Sequence, residues 1–470
     1  MYKLNIDKFA IRLFYRKKAF MIKDMTKGNP SKILFCFALP MVVGNIFQQL
    51  YNIVDSIIVG NFVGVNALAA VGASYPMTFV FITVANGASI GCSMVISQLF
   101  GAQDFNKMKS SIYTGLLSVG MLGLILMLMG LVFSENILRL LQIENGIFND
   151  ASVYMNIYFL GTIFLFIYNI STSSFNALGD SKTPLAFLIF SSIINVFLDL
   201  LLVGKFNMGV KGAAIATFIA QSISAVLSLT FLLKRVKSIK VIDMQQQNIK
   251  IFDLEIFKCI CKISIPSTLQ QSIVSIGNLL VQALVNSYGV VTIAGYTAAT
   301  KIDSITILPM ANLSNAVSNF TAQNIGGKKI ERVKSGYRSA LIMIAIFSIS
   351  VTILLFIFGQ NLIELFINSD SNQGVIKIGA QYLRIVSIFY FFMGLMVTTN
   401  GVLRGSGDIK MFIISTISNL GSRVMFAYFF AYSIGEKGIW YAVPLGWIIA
   451  STISVIRYKS GKWKNKSIVS

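Results

Sequence analysis

Twelve apolar runs of bilayer-crossing length, separated by short polar breaks, constrain this chain more than any motif. They fall at 33–60, 67–100, 111–134, 153–177, 185–204 and 212–233, and then at 263–287, 292–325, 337–360, 376–403, 411–432 and 439–457. A crossing helix needs ~20 predominantly apolar residues, so a chain of 470 residues that is 55% hydrophobic has material for twelve. Only 12% of it is Asp, Glu, Lys or Arg, against ~25% in a soluble globular domain. A soluble single-core fold is excluded. The expectation is an all-α polytopic membrane protein with twelve transmembrane helices in two six-helix lobes.

The widest break is central. Residues 234–262, with Lys234, Arg235, Lys237, Lys240, Gln245-Gln246-Gln247 and Lys250, read as a polar connector. It separates an N-lobe over 33–233 from a C-lobe over 263–457, with basic segments at 1–32 and 458–470. The halves also match each other. A shift of 225 places Gly64-Val65 on Gly289-Val290, Gln98 on Gln323, Gly101 on Gly326 and Lys109-Ser110 on Lys334-Ser335. A shift of 226 aligns Pro40 with Pro266, Gly179 with Gly405 and Lys211-Gly212 with Lys437-Gly438. Six spans per repeat is an even number, so both repeats begin on the same side of the membrane. They are then parallel, related by a pseudo-twofold axis along the membrane normal, an arrangement suited to alternating access.

The net charge of +21 gains its meaning from placement. Basic residues gather in the N-terminal segment, the 101–110 loop, the connector, the 326–338 loop and the C-terminal tail, alternating with nearly uncharged loops. Lys and Arg mark the cytoplasmic side of a membrane protein, so both termini and the connector are expected there, in a multi-pass protein of the cell membrane. The surplus is read as a topology signal with attraction to anionic membrane lipids, and no nucleic-acid partner is expected. Residues Lys3 to Lys32 hold no apolar run followed by a small-residue cleavage site, so no signal peptide is expected and the mature chain is expected to start here. Cys36, Cys92, Cys259 and Cys261 form no CxxC pair and are read as ordinary thiols.

There is no histidine, so a proton handled near neutral pH has to ride on a carboxylate or on water. Of eighteen carboxylates, only Asp55, Asp199 and Asp303 fall well inside spans. A charge at bilayer depth costs about 2.5–3.5 kcal/mol on insertion scales, so each needs a reason. Asp55 lies in the first span in the run Gln48-Gln49-Leu50-Tyr51-Asn52-Ile53-Val54-Asp55. Asp199 lies in the fifth, one turn beyond Asn195, so both side chains face one way. Thr217, in the sixth, follows Gly212-Ala213-Ala214, small residues that let helices approach. Two carboxylates, an amide and a hydroxyl form an oxygen-only cluster of the kind hard cations prefer, and one that could equally hold a proton. The repeat counterparts of Asp55 and Asp199 are Val281 and Met425. Acids kept only for the fold would have been kept in both halves, so this asymmetry favours a functional cation site over an interhelical hydrogen-bond pair.

Candidates for the substrate cavity are Tyr51, Gln271, Gln282 and Asp303. For Asp303 a structural ion pair, with Arg384 or Arg423 in other C-terminal spans, stands equally beside a substrate contact. The aromatic and methionine residues are read mostly as lipid-facing or helix-packing groups.

The segment from Pro40 to Asp55, the Gln98-Leu99-Phe100-Gly101 end of the second span, the Gly179-Asp180-Ser181-Lys182-Thr183-Pro184 turn and the Asn195/Asp199 pair together resemble the multidrug and toxic compound extrusion (MATE) family, in particular its bacterial DinF-like branch. The resemblance runs from Ser31 to Arg457. It implies an N-lobe cation site at Asp55 and Asp199, with polar partners matching Asn195, Thr217 and Asn169. It also implies export of organic cations, typically drugs and dyes, driven by inward flow of Na⁺ or H⁺. The NorM-like branch carries acids in its seventh and tenth spans; here Gln270, Gln271 and Gln282 occur in the seventh and neither span has a carboxylate. The expected protein is a monomeric antiporter without cofactor. Na⁺ is the favoured coupling ion, held at Asp55, Asn195, Asp199 and Thr217, because the amide and hydroxyl offer neutral oxygens. The alternative is a lipid-linked oligosaccharide flippase of the same broad superfamily, which would want a cationic cavity for pyrophosphate. An enzyme is not expected, for want of histidine, paired Cys ligands or a nucleophile with an evident base.

Overall fold

A computed structural model describes residues 23–239, 249–365 and 373–469. Part of the basic N-terminal segment and the middle of the connector, Lys240 and the glutamine run included, lie outside the described residues. Six helices form the first half: α1 (Pro30–Phe62), α2 (Val65–Gly101), α3 (Phe105–Leu140), α4 (Asn145–Ala177), α5 (Lys182–Asp199), which continues as a π-helical segment over Leu200–Lys205, and α6 (Gly209–Ser238). The second half comprises α7 (Leu254–Asn286), α8 (Val290–Gly326), α9 (Ile330–Glu364), α10 (Gln373–Ser387), α11 (Tyr390–Ser406), α12 (Ile409–Ile434) and α13 (Glu436–Lys459). Helices α10 and α11 are one crossing bent by 54°, which brings the total to the twelve expected spans. Among the described residues, nine helices are apolar enough to cross by themselves and the bent pair makes ten. The remaining two, α8 and α12, have crossing length but carry Lys301 and Asp303, and Lys410 and Arg423.

Local chemistry explains the starts. Asn29 caps α1, its side-chain oxygen accepting from the Ser31 and Lys32 N–H groups ahead of Pro30, and Asp253 caps α7 on the Glu255 and Ile256 N–H groups. The repeat survives in the elements: α1 and α7 each have 33 residues with an internal proline, and α2 and α8 each have 37. The latter two follow Gly64 and Gly289, at φ 111° and 88°, a region that glycine enters without the Cβ penalty.

Outward faces show what surrounds the bundle. On α3, Met121, Ile125, Leu128 and Val132 are exposed, and on α9 so are Ile342, Ile346, Ile349 and Ile353. Both series follow the helical period, forming continuous apolar stripes that hydrocarbon covers at no cost and water does not.

The halves share their cores reciprocally. Ile33, Leu34 and Phe37, at the start of α1, are buried in the C-lobe cluster with Phe320 and Tyr337. Ile256, Ile260 and Ile263, at the start of α7, are buried in the N-lobe cluster with Val95 and Leu99. Helices α2 and α8 run along the seam between lobes. A side chain on Gly101 would strike the Gln323 backbone, and one on Gly326 the Gln98 backbone.

Candidate cation-binding site

Asp55 lies on α1, seven residues before that helix ends, and α1 packs against α5. Asp199 is the last residue of α5 before the π segment. A π turn within a helix shifts the backbone register, and such segments recur at functional sites. The two carboxyl groups lie close enough to act directly on each other. Asp199 has no solvent exposure, and both its oxygens, like Oδ1 of Asp55, are buried without a donor. Asn195 is also buried; its Nδ2 donates to the Thr217 hydroxyl on α6 over 3.5 Å, and its Oδ1 has no partner.

Three helices therefore converge on a small volume lined by oxygens that accept and lack donors. Buried polar groups are normally satisfied, and buried like charges side by side are costly unless a positive charge joins them. A bare cation or a proton supplies that charge. Among the described residues, no group of three or more Asp, Glu, His or Cys side chains gathers as a metal site. Two carboxylates with neutral oxygens are a donor set that hard cations favour.

Asp55, Asp199, Asn195 and Thr217 are thus brought together, and Tyr51 lies within electrostatic reach of both acids. Asn169 is placed differently: its Nδ2 donates to the Leu165 carbonyl, one turn back on α4, at 2.9 Å, and no hydrogen bond ties it to the cluster. Two features were not anticipated. Tyr154, on α4, lies near both acids, and with Tyr158, Gly161, Thr217 and Gln221 it lines a pocket between α4 and α6 that reaches Thr217. The sequence signal was the helical spacing of Tyr154 with Tyr158 and of Thr217 with Gln221.

Among the described residues, the C-lobe shows no equivalent pair of acids. Val281 is fully buried in the apolar core and Met425 is exposed on the outer surface. Gln282 donates to Asn286 on its own helix at 2.8 Å, and Gln271 is half-buried on α7. Asp303 is 8% exposed. Tyrosines on either side of the α10–α11 bend hold it: Tyr390 donates to Oδ1 at 2.7 Å and Tyr382 to Oδ2 at 3.3 Å. Of the expected ion-pair partners, Arg384 is exposed, and Arg423 donates to Asn278 at 3.3 Å while staying within electrostatic reach of Asp303, so the direct contacts on the carboxylate are hydroxyls.

The sequence model of the MatE family matches residues 40–201 and 266–429, one block in each half of the chain. The chain belongs to the MatE family. Over 442 residues it is 30% identical to "Probable multidrug resistance protein YpnP" of Bacillus subtilis (strain 168), covering 94% of this chain and 97% of that one. It is 28% identical over 451 residues to "Probable multidrug resistance protein YoeA" of the same organism, covering 94% and 96%. In fold it is similar to a MATE protein solved in complex with MaL6, with a TM-score of 0.86 at 24% identity over 95% of this chain and 99% of that one. The MatE blocks begin at Pro40 and Pro266, the prolines that the internal repeat pairs. The first block ends two residues after Asp199, so both acids of the site fall inside it.

Proposed function

We propose that this MatE protein is a multidrug efflux antiporter, exporting amphipathic organic cations in exchange for inward Na⁺ at the Asp55/Asp199 site. The observation that carries the reading is the pair of facing carboxyl groups with three buried, donor-less oxygens, beside an amide oxygen equally unpaired. Nothing in the fold calls for that cost, since the second lobe builds the same helices with Val281 and Met425. The names of its relatives support drugs as the exported class.

Exchange needs competition and little else. A cation entering the site neutralises the acids, draws α1, α5 and α6 together around it and lowers the affinity of that state for the drug, which leaves. The cation then departs to the inner side, and drug binding restores the other state. Coupling follows whenever the two ligands prefer different states. The basic residues clustered around the described termini and the 326–338 loop support placing that end of the bundle in the cytoplasm, with the protein a monomer in the cell membrane. The flippase reading is not favoured: it needs a cationic cavity, whereas the cluster is acidic and the relatives are named for multidrug resistance.

The coupling ion is settled by mass action in vesicles. With Na⁺ as driver, an imposed Na⁺ gradient at fixed pH powers dye efflux and its removal stops it. Efflux driven by a pH gradient in Na⁺-free buffer, unchanged when Na⁺ is added, would assign the site to the proton. Turnover of a lipid-linked saccharide without dye efflux would overturn the antiporter reading altogether.

A further inference from the structure

Gln98 and Gln323 are both fully buried, at the end of the bundle where the termini lie, and they make the same two contacts in opposite directions. Gln98, on α2, donates from Nε2 to the Gly405 carbonyl at the end of α11 at 3.0 Å. Gln323, on α8, donates from Nε2 to the Ala177 carbonyl at the end of α4 at 2.7 Å. Each amide thus crosses the seam to the fourth span of the other lobe. The amide oxygens are used just as symmetrically. Gln98 Oε1 accepts from the Ile468 N–H at 2.9 Å and the Ser467 hydroxyl at 3.3 Å, in the C-terminal tail. Gln323 Oε1 accepts from the Met25 N–H at 2.9 Å, in the N-terminal segment.

Both terminal segments reach these glutamines by crossing equivalent turns. The chain at Lys23 passes over Gly179 (φ 80°), and the chain at Lys466 passes over Gly407 (φ 93°); a Cβ on either glycine would strike the Lys23 or the Lys466 carbonyl. Each strap is then tied across the seam. The N-terminal one lies over the α4–α5 turn of the first lobe, yet Lys329 donates to the Thr26 carbonyl at 2.9 Å and Arg332 to the Met25 carbonyl at 3.1 Å from the second. The C-terminal one lies over the α11–α12 turn of the second lobe, yet Ile468 packs against the N-lobe core.

We propose that the two terminal straps and the Gln98/Gln323 pair form a latch that holds this end of the inter-lobe cleft closed, and that both straps have to leave the glutamines before the cleft can open there. Helices α2 and α8 cannot part here without breaking both Nε2 hydrogen bonds, and each bond is backed by a strap that fills the remaining acceptor. Freed glutamines find water when the seam opens, so the latch is reversible. The straps are covalently tethered, so they return at high effective concentration. The latch thereby sets the balance between the two access states without touching either ligand. This inference rests on the alternating-access reading, but it does not depend on which ion or drug is carried.

The test uses the full-length protein in lipid nanodiscs, with C36A, C92A, C259A and C261A and spin labels at K107C and S335C, exposed positions on α3 and α9. Inter-lobe distances are read by pulsed electron resonance. Two variants are compared with the parent: Q98A/Q323A, and a chain ending at Lys464, which removes the tail beyond buried Trp463 and leaves α1 to α13 whole. Each is expected to raise the ratio of long-distance to short-distance populations at least tenfold, a change equivalent to 1.4 kcal/mol. If the glutamine variant does not fold, the shortened chain decides alone. Distance distributions in the shortened chain that match the parent would overturn the latch. A shift in distance without any drug transport by the parent would leave the latch standing and remove the antiporter reading.

Discussion

Asn195 donates its side-chain N–H to the Thr217 hydroxyl over 3.5 Å, and this contact joins α5 to α6 while leaving the amide oxygen unpaired, as are the buried carboxylate oxygens of Asp199 and Oδ1 of half-buried Asp55. The amide is thereby oriented, with a donor engaged on one side and its acceptor left without a partner. Each member of the cluster consequently has a separable role.

The acids supply the charge. Asp55→Asn and Asp199→Asn keep size and remove it, so each is expected to reduce ion-driven efflux to background in vesicles while leaving the amount of protein in the membrane unchanged. Efflux at the parental rate from both variants would eliminate the site.

Thr217 supplies position and a neutral oxygen. Thr217→Val keeps the shape and frees the Asn195 amide. A single neutral hydrogen bond is worth about 0.5–1.5 kcal/mol, so the Na⁺ concentration for half-maximal efflux should rise roughly two- to tenfold, with the maximal rate recovered at high Na⁺. An unchanged Na⁺ dependence would exclude Thr217 from the site.

Gln282 tests the asymmetry of the lobes. Its amide is occupied by Asn286 on its own helix, so Gln282→Ala should retain most coupled efflux where Asp55→Ala loses it. Equal losses in the two would mean that both lobes bind the cation.

Asp303 is held by two tyrosine hydroxyls of the second lobe, and we expect it to serve the framework there. Tyr390→Phe removes the shorter of its two hydroxyl contacts. Hydrogen bonds to charged groups are worth about 1.5–3 kcal/mol, so a lower melting temperature in detergent is expected, with the Na⁺ dependence of efflux unaltered. A shifted Na⁺ dependence at unchanged melting temperature would place Asp303 in the transport path instead.

The legible part of this protein is one-dimensional. Run length against bilayer thickness gave twelve crossings, and the paired glycines before α2 and α8 gave the repeat, because both signals depend only on spacing along the chain. The Asn195/Asp199 pair was legible for the same reason: one helical turn separates them whatever surrounds the helix. Tertiary packing decided the rest. That Asp55 meets Asp199, one hundred and forty-four positions away, depends on how α1 lies against α5, and no local preference encodes a helix-to-helix placement. The 54° break between α10 and α11 sits in a run with neither proline nor glycine at the break; tyrosines flanking it both reach Asp303, a contact between helices that spacing cannot show. The reciprocal cores have a similar origin. Ile33 reads as the first residue of the N-lobe and Ile256 as part of the connector, yet Ile33 is buried in the C-lobe core and Ile256, on α7, in the N-lobe core, because a long helix lying along the seam can bury its first turns only against what stands across from it.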